Sequence, residues 1–285
     1  VAPIAELLAA GRTYSFEFFP PKTDDEQYRL ARSLMELQAL DPSFVSVTYR
    51  GGPSSRERTH DLVVGMLKTT TLTPMAHLIC AGHTRLELAD ILVQLRKDGI
   101  HNLMALGGDP PSDPAAPAGE LVHAVELVEL ARAIGGFSIG VAAHPGAHPR
   151  SASLAEDRDR LAEKLRLADF AVTQSVFDLD SYLGLVDDLA VRGIDKPVVP
   201  GIMPLTSLGS LDRQAQLGAV VPAPVAARLA AAGDPASVRA TGVALATELC
   251  GALLDAGAPG LHFYTLNRSP ATREIYANLE LGKAA

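Results

Sequence analysis

Cysteine is scarce: only Cys80 and Cys250 occur in 285 residues, far apart along the chain. A secreted disulfide scaffold needs more thiols and a zinc site needs clustered ligands, so two reduced thiols in a reducing compartment are expected. No run of about 18 uninterrupted apolar residues occurs, so no membrane span is expected. The opening Val1–Arg12 has no basic stretch ahead of an apolar core and does not read as a signal peptide. A cytoplasmic protein is therefore expected. Neither a Lys/Arg run nor an aromatic-basic stripe is present, which argues against nucleic acid as a partner. The nucleotide-binding patterns G-x-G-x-x-G and G-x-x-x-x-G-K-[ST] are both missing. What remains is 47% hydrophobic and 20% charged, with a formal charge of −8. Such a chain builds a large core, is not disordered, and must meet any anionic ligand with a local Arg or Lys.

Short β-rich apolar runs alternate with longer amphipathic ones. A short helix over Pro3–Ala10 precedes a strand over Tyr14–Phe19, stopped by Pro20 and Pro21. Helix follows over Asp24–Ala39, with Asp24 as its N-cap and Leu30, Leu34 and Leu37 on one face. Further strands are expected over Phe44–Thr48, Met75–Cys80, Asn102–Leu106, Phe137–Ala143, Phe170–Gln174, Val198–Ile202 and Gly260–Thr265. Helices separate them, at 55–69, 84–98, 120–134, 154–167 and 179–192, and a Pro-rich loop covers Asp109–Pro117. After the seventh strand come extra helices at 207–218 and 222–232, then a long one at 236–256, and a last helix begins near Pro270. Eight strand–helix units without a composition break predict one domain over residues 1–285, a (β/α)8 TIM barrel with an N-terminal helix. An open doubly wound sheet is the alternative, but it would carry a glycine-rich turn where this chain has Phe-Phe-Pro-Pro.

In such barrels the reacting groups stand at the carboxyl ends of the strands. That places Glu17, Thr48, Tyr49, His77, Asp109, His144, Gln174 and the Asn267-Arg268 pair around one mouth. Strand alternation turns Ser15, Glu17 and Phe19 one way and Phe16, Phe18 and Pro20 the other. With the first set in the lumen, a desolvated Glu17 is expected to have a raised pKa and hold a proton near neutral pH. The bland alternative is a buried Glu paired with a core Arg. Asp109 follows Gly107-Gly108, where a ligand can approach the backbone. Gln174 offers a donor and an acceptor to an amide or pterin edge. His144 and His148 bracket Pro145-Gly146-Ala147, which is no helical metal pair, and no metal site is expected.

Segments spread along the chain resemble those of the methylenetetrahydrofolate reductase family. They are Ser15-Phe16-Glu17-Phe18-Phe19-Pro20-Pro21-Lys22, Phe44-Val45-Ser46-Val47-Thr48-Tyr49, His77-Leu78 and Ala105-Leu106-Gly107-Gly108-Asp109. Val141-Ala142-Ala143-His144-Pro145, Val172-Thr173-Gln174, Pro200-Gly201-Ile202-Met203-Pro204 and His262-Phe263-Tyr264-Thr265-Leu266-Asn267-Arg268 continue the series in family order. The resemblance implies reduction of 5,10-methylenetetrahydrofolate to 5-methyltetrahydrofolate with NADH or NADPH. It makes Glu17 the general acid at N10 and Asp109 the group favouring the cationic iminium. It sets Gln174, Thr48, Tyr49, Leu266 and Arg268 on the substrate, and Thr48, His77, Gly108, Ala143 and His144 around the redox cofactor.

The departures concern flavin. Most family members hold FAD in the barrel mouth. Where the family has Arg-Gly-Asp this chain has Gly107-Gly108-Asp109, and where it has Ala-Ala-Tyr-Pro-Glu this chain has Ala142-Ala143-His144-Pro145-Gly146. A family lysine before the sixth strand falls on Glu163. Each lost charge-assisted bond to a pyrophosphate is worth roughly 1.5–3 kcal/mol. Little or no bound flavin is expected, with hydride passing directly from the nicotinamide nucleotide to folate. The alternatives are a conventional FAD enzyme, with Lys164 or Arg166 as replacement contacts, and a folate-binding barrel without turnover. A Schiff-base aldolase would need a lysine on an inner strand end, and Lys22, Lys68, Lys97, Lys164, Lys196 and Lys283 all fall in loops or helices. Oligomeric state is left open.

Overall fold

Side chains alternate between the lumen and the outer layer along each strand, and the first strand shows the pattern most clearly. In β1 (Thr13–Phe18), Phe16 and Phe18 are fully buried in the outer layer, and Phe16 meets the ring of Tyr276 at 5.4 Å. Ser15 and Glu17 turn the opposite way, into the lumen, as alternation predicts.

The computed structural model describes residues 1–49, 53–109, 119–216 and 219–281, with residues 53–55 described by backbone alone. The strands after β1 are β2 (Phe44–Val47), β3 (Pro74–Ile79), β4 (Asn102–Leu106), β5 (Ser138–Ala143), β6 (Phe170–Ser175), β7 (Val198–Ile202) and β8 (Gly260–Tyr264). All eight pair in parallel in sequence order, and β8 closes onto β1. The helices are α1 (Ile4–Ala10), α2 (Asp24–Gln38), α3 (Pro53–Thr69), α4 (Arg85–Lys97), α5 (Ala124–Ile134), α6 (Leu154–Leu167) and α7 (Leu179–Val191). Beyond β7 follow α8 (Gly209–Gln216), α9 (Ala223–Ala230) and α10 (Pro235–Asp255), and α11 (Pro270–Asn278) follows β8. This is the expected TIM barrel with its N-terminal helix and extra helices.

Two boundaries differ for identifiable reasons. The cap of α2 is Thr23, whose side chain accepts from the Glu26 amide, not Asp24. The helix expected from residue 120 begins only at Ala124, because the Glu126 carboxylate accepts the Val122 and His123 amides and holds them outside the helix. The Pro-rich loop after Asp109, the end of the helix expected to reach Gly218, and Lys283 lie outside the described residues.

The barrel is stoppered at its amino end. Ile4 and Leu8 of α1 pack with Phe44, Met75, Met104, Phe170 and Val199 inside the lumen. Asn102 accepts the Ile4 amide at 2.9 Å and Ser138 the Ala5 amide at 3.0 Å, satisfying helix-start donors that would otherwise be orphaned. Chemistry is thereby confined to the carboxyl end. Helix α10 is long and apolar enough to cross a membrane by length and composition. Its apolar surface is used in the fold, against α7, α9, α11 and β7. Cys80 and Cys250 are free and buried.

Candidate active site

Glu17 stands one lumen layer above the apolar stopper. Register puts it beside Ser46 on β2 and Tyr264 on β8, while Ser15 lies beside His262. One carboxylate oxygen, Oε2, is 3.6 Å from Nε2 of His77 and 3.6 Å from Nε2 of His262, with the Ser46 hydroxyl 3.5 Å away. The imidazole contacts are at ion-pair distance, longer than a hydrogen bond.

These neighbours reverse the protonation state expected from sequence. Burial by itself pushes the Glu17 carboxyl up. The His262 imidazole facing it, the positive charge available on His77 and His262, and the Ser46 hydroxyl outweigh burial and leave the pKa below the ordinary value. No arginine pairs with Glu17 among the described residues. His77, in turn, is pushed below the usual imidazole range, first by burial, with the charge of His262 acting the same way against that of Glu17. Its Nε2 is buried without a hydrogen-bond partner, as is Oγ1 of Thr48 nearby on the mouth side of β2.

The floor is held largely by His262 and Tyr264, to which the sequence reading gave no role. His262, 1% exposed, has Nδ1 2.8 Å from the Ser15 hydroxyl and Nε2 3.4 Å from that of Ser46. Tyr264 reaches over β7 to donate to the Thr173 carbonyl of β6 at 2.5 Å. Gly201 makes that crossing possible, since a Cβ there would lie 2.6 Å from the tyrosine ring and 2.3 Å from the Thr173 carbonyl oxygen. Asn267 binds both the amide and the carbonyl of Phe19, at 3.0 and 2.8 Å, and Thr265 donates to the Glu17 carbonyl at 2.6 Å. Leu266 and Asn267 take left-handed backbone angles, φ 51 and 54, so these bonds pin a turn that non-glycine residues rarely adopt. The exposed Leu266 and Arg268 flank Asn267 at the rim.

Across the mouth, Asp109 and Gln174 are exposed at the ends of β4 and β6. Gln174 makes no side-chain hydrogen bond among the described residues. Gly108, φ +78, lies so close to Ile79 that a Cβ would come within 3.0 Å. Ala143 is buried at the end of β5. His144 meets His148 edge-to-face at 4.7 Å, and burial pushes its pKa down to about 4, with His148, Lys164 and Arg158 adding to the effect against Asp157.

One sequence placement is corrected. Tyr49, expected on the substrate, is buried in the outer layer with its hydroxyl 2.6 Å from Nε2 of His83. It follows Thr48 in an extended segment and so faces away from the lumen. Glu163, where the resemblance would put a lysine, is exposed, and Nζ of the adjacent Lys164 donates to the Ala142 carbonyl at 2.8 Å. Burial lowers the Lys164 pKa to about 8.

A family model described as methylenetetrahydrofolate reductase matches residues 4–280. The chain is 36% identical over 264 residues to the 5,10-methylenetetrahydrofolate reductase of Escherichia coli K12, covering 92% of this chain and 88% of that one. It is 34% identical to methylenetetrahydrofolate reductase (NADH) 1 of Arabidopsis thaliana over 99% of this chain and 50% of that protein. A similar solved structure is an uncharacterized Clostridium thermocellum protein that binds two copies of 5-methyl-5,6,7,8-tetrahydrofolic acid. Its TM-score is 0.66 at 14% identity, with 98% and 97% of the two chains covered, which speaks to fold. With a family match along almost its whole length and reductase relatives above one-third identity, the chain belongs to the methylenetetrahydrofolate reductase family.

Proposed function

We propose that this protein reduces 5,10-methylenetetrahydrofolate to 5-methyltetrahydrofolate by direct hydride transfer from NADH or NADPH, without a resident flavin. The observation that carries the reaction is the position of Glu17: an acid–base group fixed at the floor of the mouth, facing groups on the opposite rim that are free to bind a pterin. Gln174 offers the donor and acceptor for the pterin edge. Glu17, once protonated, gives its proton to N10. The C–N10 bond breaks with its electron pair on N10, and the N5 lone pair forms the 5-iminium. Asp109 stabilises that cation. Hydride then passes from the nicotinamide to the methylene carbon, which becomes the methyl group, with the two carbons about 3–3.5 Å apart.

FAD, usual in the family, fits these residues poorly. Its pyrophosphate needs free cations or free helix-start amides. Arg150 donates to the Gly108 carbonyl at 3.0 Å, and Lys164 is held by Ala142. Arg158 is committed to the carbonyls of His144, Pro145 and Gly146 and to Asp157 and Asp188. Carboxylates of the chain itself take amides at the starts of α4, α5, α6 and α7. Nanomolar retention of a flavin corresponds to about 12 kcal/mol, whereas a substrate nucleotide in the micromolar to millimolar range needs about 4–8 kcal/mol. The exposed Arg268 suits that weaker requirement. The buried free thiols accord with a cytoplasmic setting.

The test is a spectrum and a rate pattern. Dialysed protein is expected to lack flavin absorbance and to oxidise NADH or NADPH only when methylenetetrahydrofolate is present, with sequential kinetics. A retained yellow chromophore or ping-pong kinetics would overturn the flavin-free reading.

A further inference from the structure

The turn after β8 carries backbone strain that packing within the protein does not explain. Leu266 and Asn267 both take left-handed angles, φ 51 and 54. Asparagine tolerates that region and leucine rarely enters it, whereas a glycine at 266 would make the same turn freely. Leu266 is nevertheless 49% exposed and joins none of the apolar clusters among the described residues. We propose that Asn267 is a positioning residue that holds this turn so that Leu266 is presented to the p-aminobenzoyl ring of the folate. This rests on the function proposed above.

Asn267 is 6% exposed, and each of its polar atoms is engaged. Its side chain accepts from the Phe19 amide and donates to the Phe19 carbonyl. Its own carbonyl accepts from the Ser33 hydroxyl of α2 at 2.8 Å, and its amide donates to Oγ1 of Thr265 at 3.2 Å. The Thr265 hydroxyl donates in turn to the Glu17 carbonyl. The turn is thereby tied to α2 and to the chain end of β1 that carries Glu17. Strained backbone held from several sides is characteristic of ligand clamps.

The connectivity of the substrate decides which part of it reaches Leu266. Gln174 and Asp109 take the pterin on the β4–β6 side, and Glu17 gives its proton to N10. The p-aminobenzoyl ring is bonded to N10, so it emerges past Glu17 on the β8–β1 side. Tyr264 lies opposite Glu17 in register, and Leu266 follows two residues on, towards the mouth. An isobutyl group there gives a flat apolar ring a surface to lie on, and the contact takes apolar area of both partners out of water. A charged part of the ligand would gain nothing from it.

Calorimetry with two ligands tests this without turnover: 5-methyltetrahydrofolate, and a 5-methyltetrahydropterin that lacks the p-aminobenzoyl group. Leu266→Gly relieves the strain and removes the side chain. Its Kd for 5-methyltetrahydrofolate should rise about tenfold, while its Kd for the truncated pterin stays within about twofold of the wild type. Leu266→Ala should lose affinity in the same pattern but unfold at lower denaturant than Leu266→Gly, because it keeps the strain. Asn267→Gly keeps the backbone angles and loses both side-chain bonds to Phe19. It should raise the folate Kd about threefold to tenfold, and adding it to Leu266→Gly should raise Kd no further. An unchanged folate Kd in Leu266→Gly, equal losses for the two ligands, or an Asn267→Gly effect that persists in full without Leu266 would overturn the inference. The two Leu266 variants decide the contact even where Asn267→Gly does not fold. Wild-type protein without reductase activity would instead sink the proposed function, while the two affinities would still report the contact.

Discussion

The two halves of the barrel mouth are built differently. On the β8–β1–β2–β3 side, Ser15, Ser46, His77, His262 and Asn267 are buried, and their polar atoms converge on Glu17 or on the backbone that carries it. On the β4–β5–β6 side, Asp109 and Gln174 are exposed, and the buried cation Arg158 serves the protein's own loop. The contrast teaches where preorganisation is needed. A proton donor must be held in place before substrate arrives, so its half is fixed. A recognition surface needs hydrogen-bonding capacity left over for the ligand, so its half is open.

If the first half holds the chemistry, Glu17→Gln should lower kcat by about 10²–10⁴-fold. Folate affinity measured by calorimetry should change little. Equal losses in affinity and kcat would mean that Glu17 binds rather than reacts, and retained affinity with no wild-type turnover would favour a folate-binding barrel. The second half depends on one buried cation. Arg158→Met strands Asp157 and three carbonyls, and should cost about 3–5 kcal/mol in a denaturant titration. A cost below about 1 kcal/mol would show that the 144–146 loop holds itself.

His144 sharpens the comparison through pH. Its folded-state pKa is depressed to about 4 by burial, whereas an unfolded histidine titrates near 6.5. The unfolded chain takes up the proton first as pH falls, so the stability held above about 6.5 is lost on the way down towards 4. Stability measured by denaturant titration across this window should fall less steeply in His144→Gln, by about 3 kcal/mol at the acid end. The smallest effect belongs to the open rim. Gln174→Ala should raise KM for folate about threefold to tenfold and leave kcat within about twofold.

The barrel was legible because strand and helix periods alternate without a break, and groups such as Glu17, His77 and Gln174 could be placed by strand ends alone. The state of Glu17 was not legible. Burial can be inferred from one strand, but the imidazoles and hydroxyl that outweigh it come from β2, β3 and β8, and their approach depends on barrel closure. His262 lies inside a segment recognised for its resemblance, yet its contact with Ser15 follows from register. One error was avoidable. Phe44, Ser46 and Thr48 share the lumen face, which sends Tyr49 outward.

The central claim is direct hydride transfer, and isotope tracing tests it most directly. NADH deuterated at both C4 positions should give 5-methyltetrahydrofolate carrying one deuterium per turnover in its methyl group, with no loss to solvent. Deuterium washed out into water, as exchange at the N5–H of a reduced flavin would cause, would contradict the account.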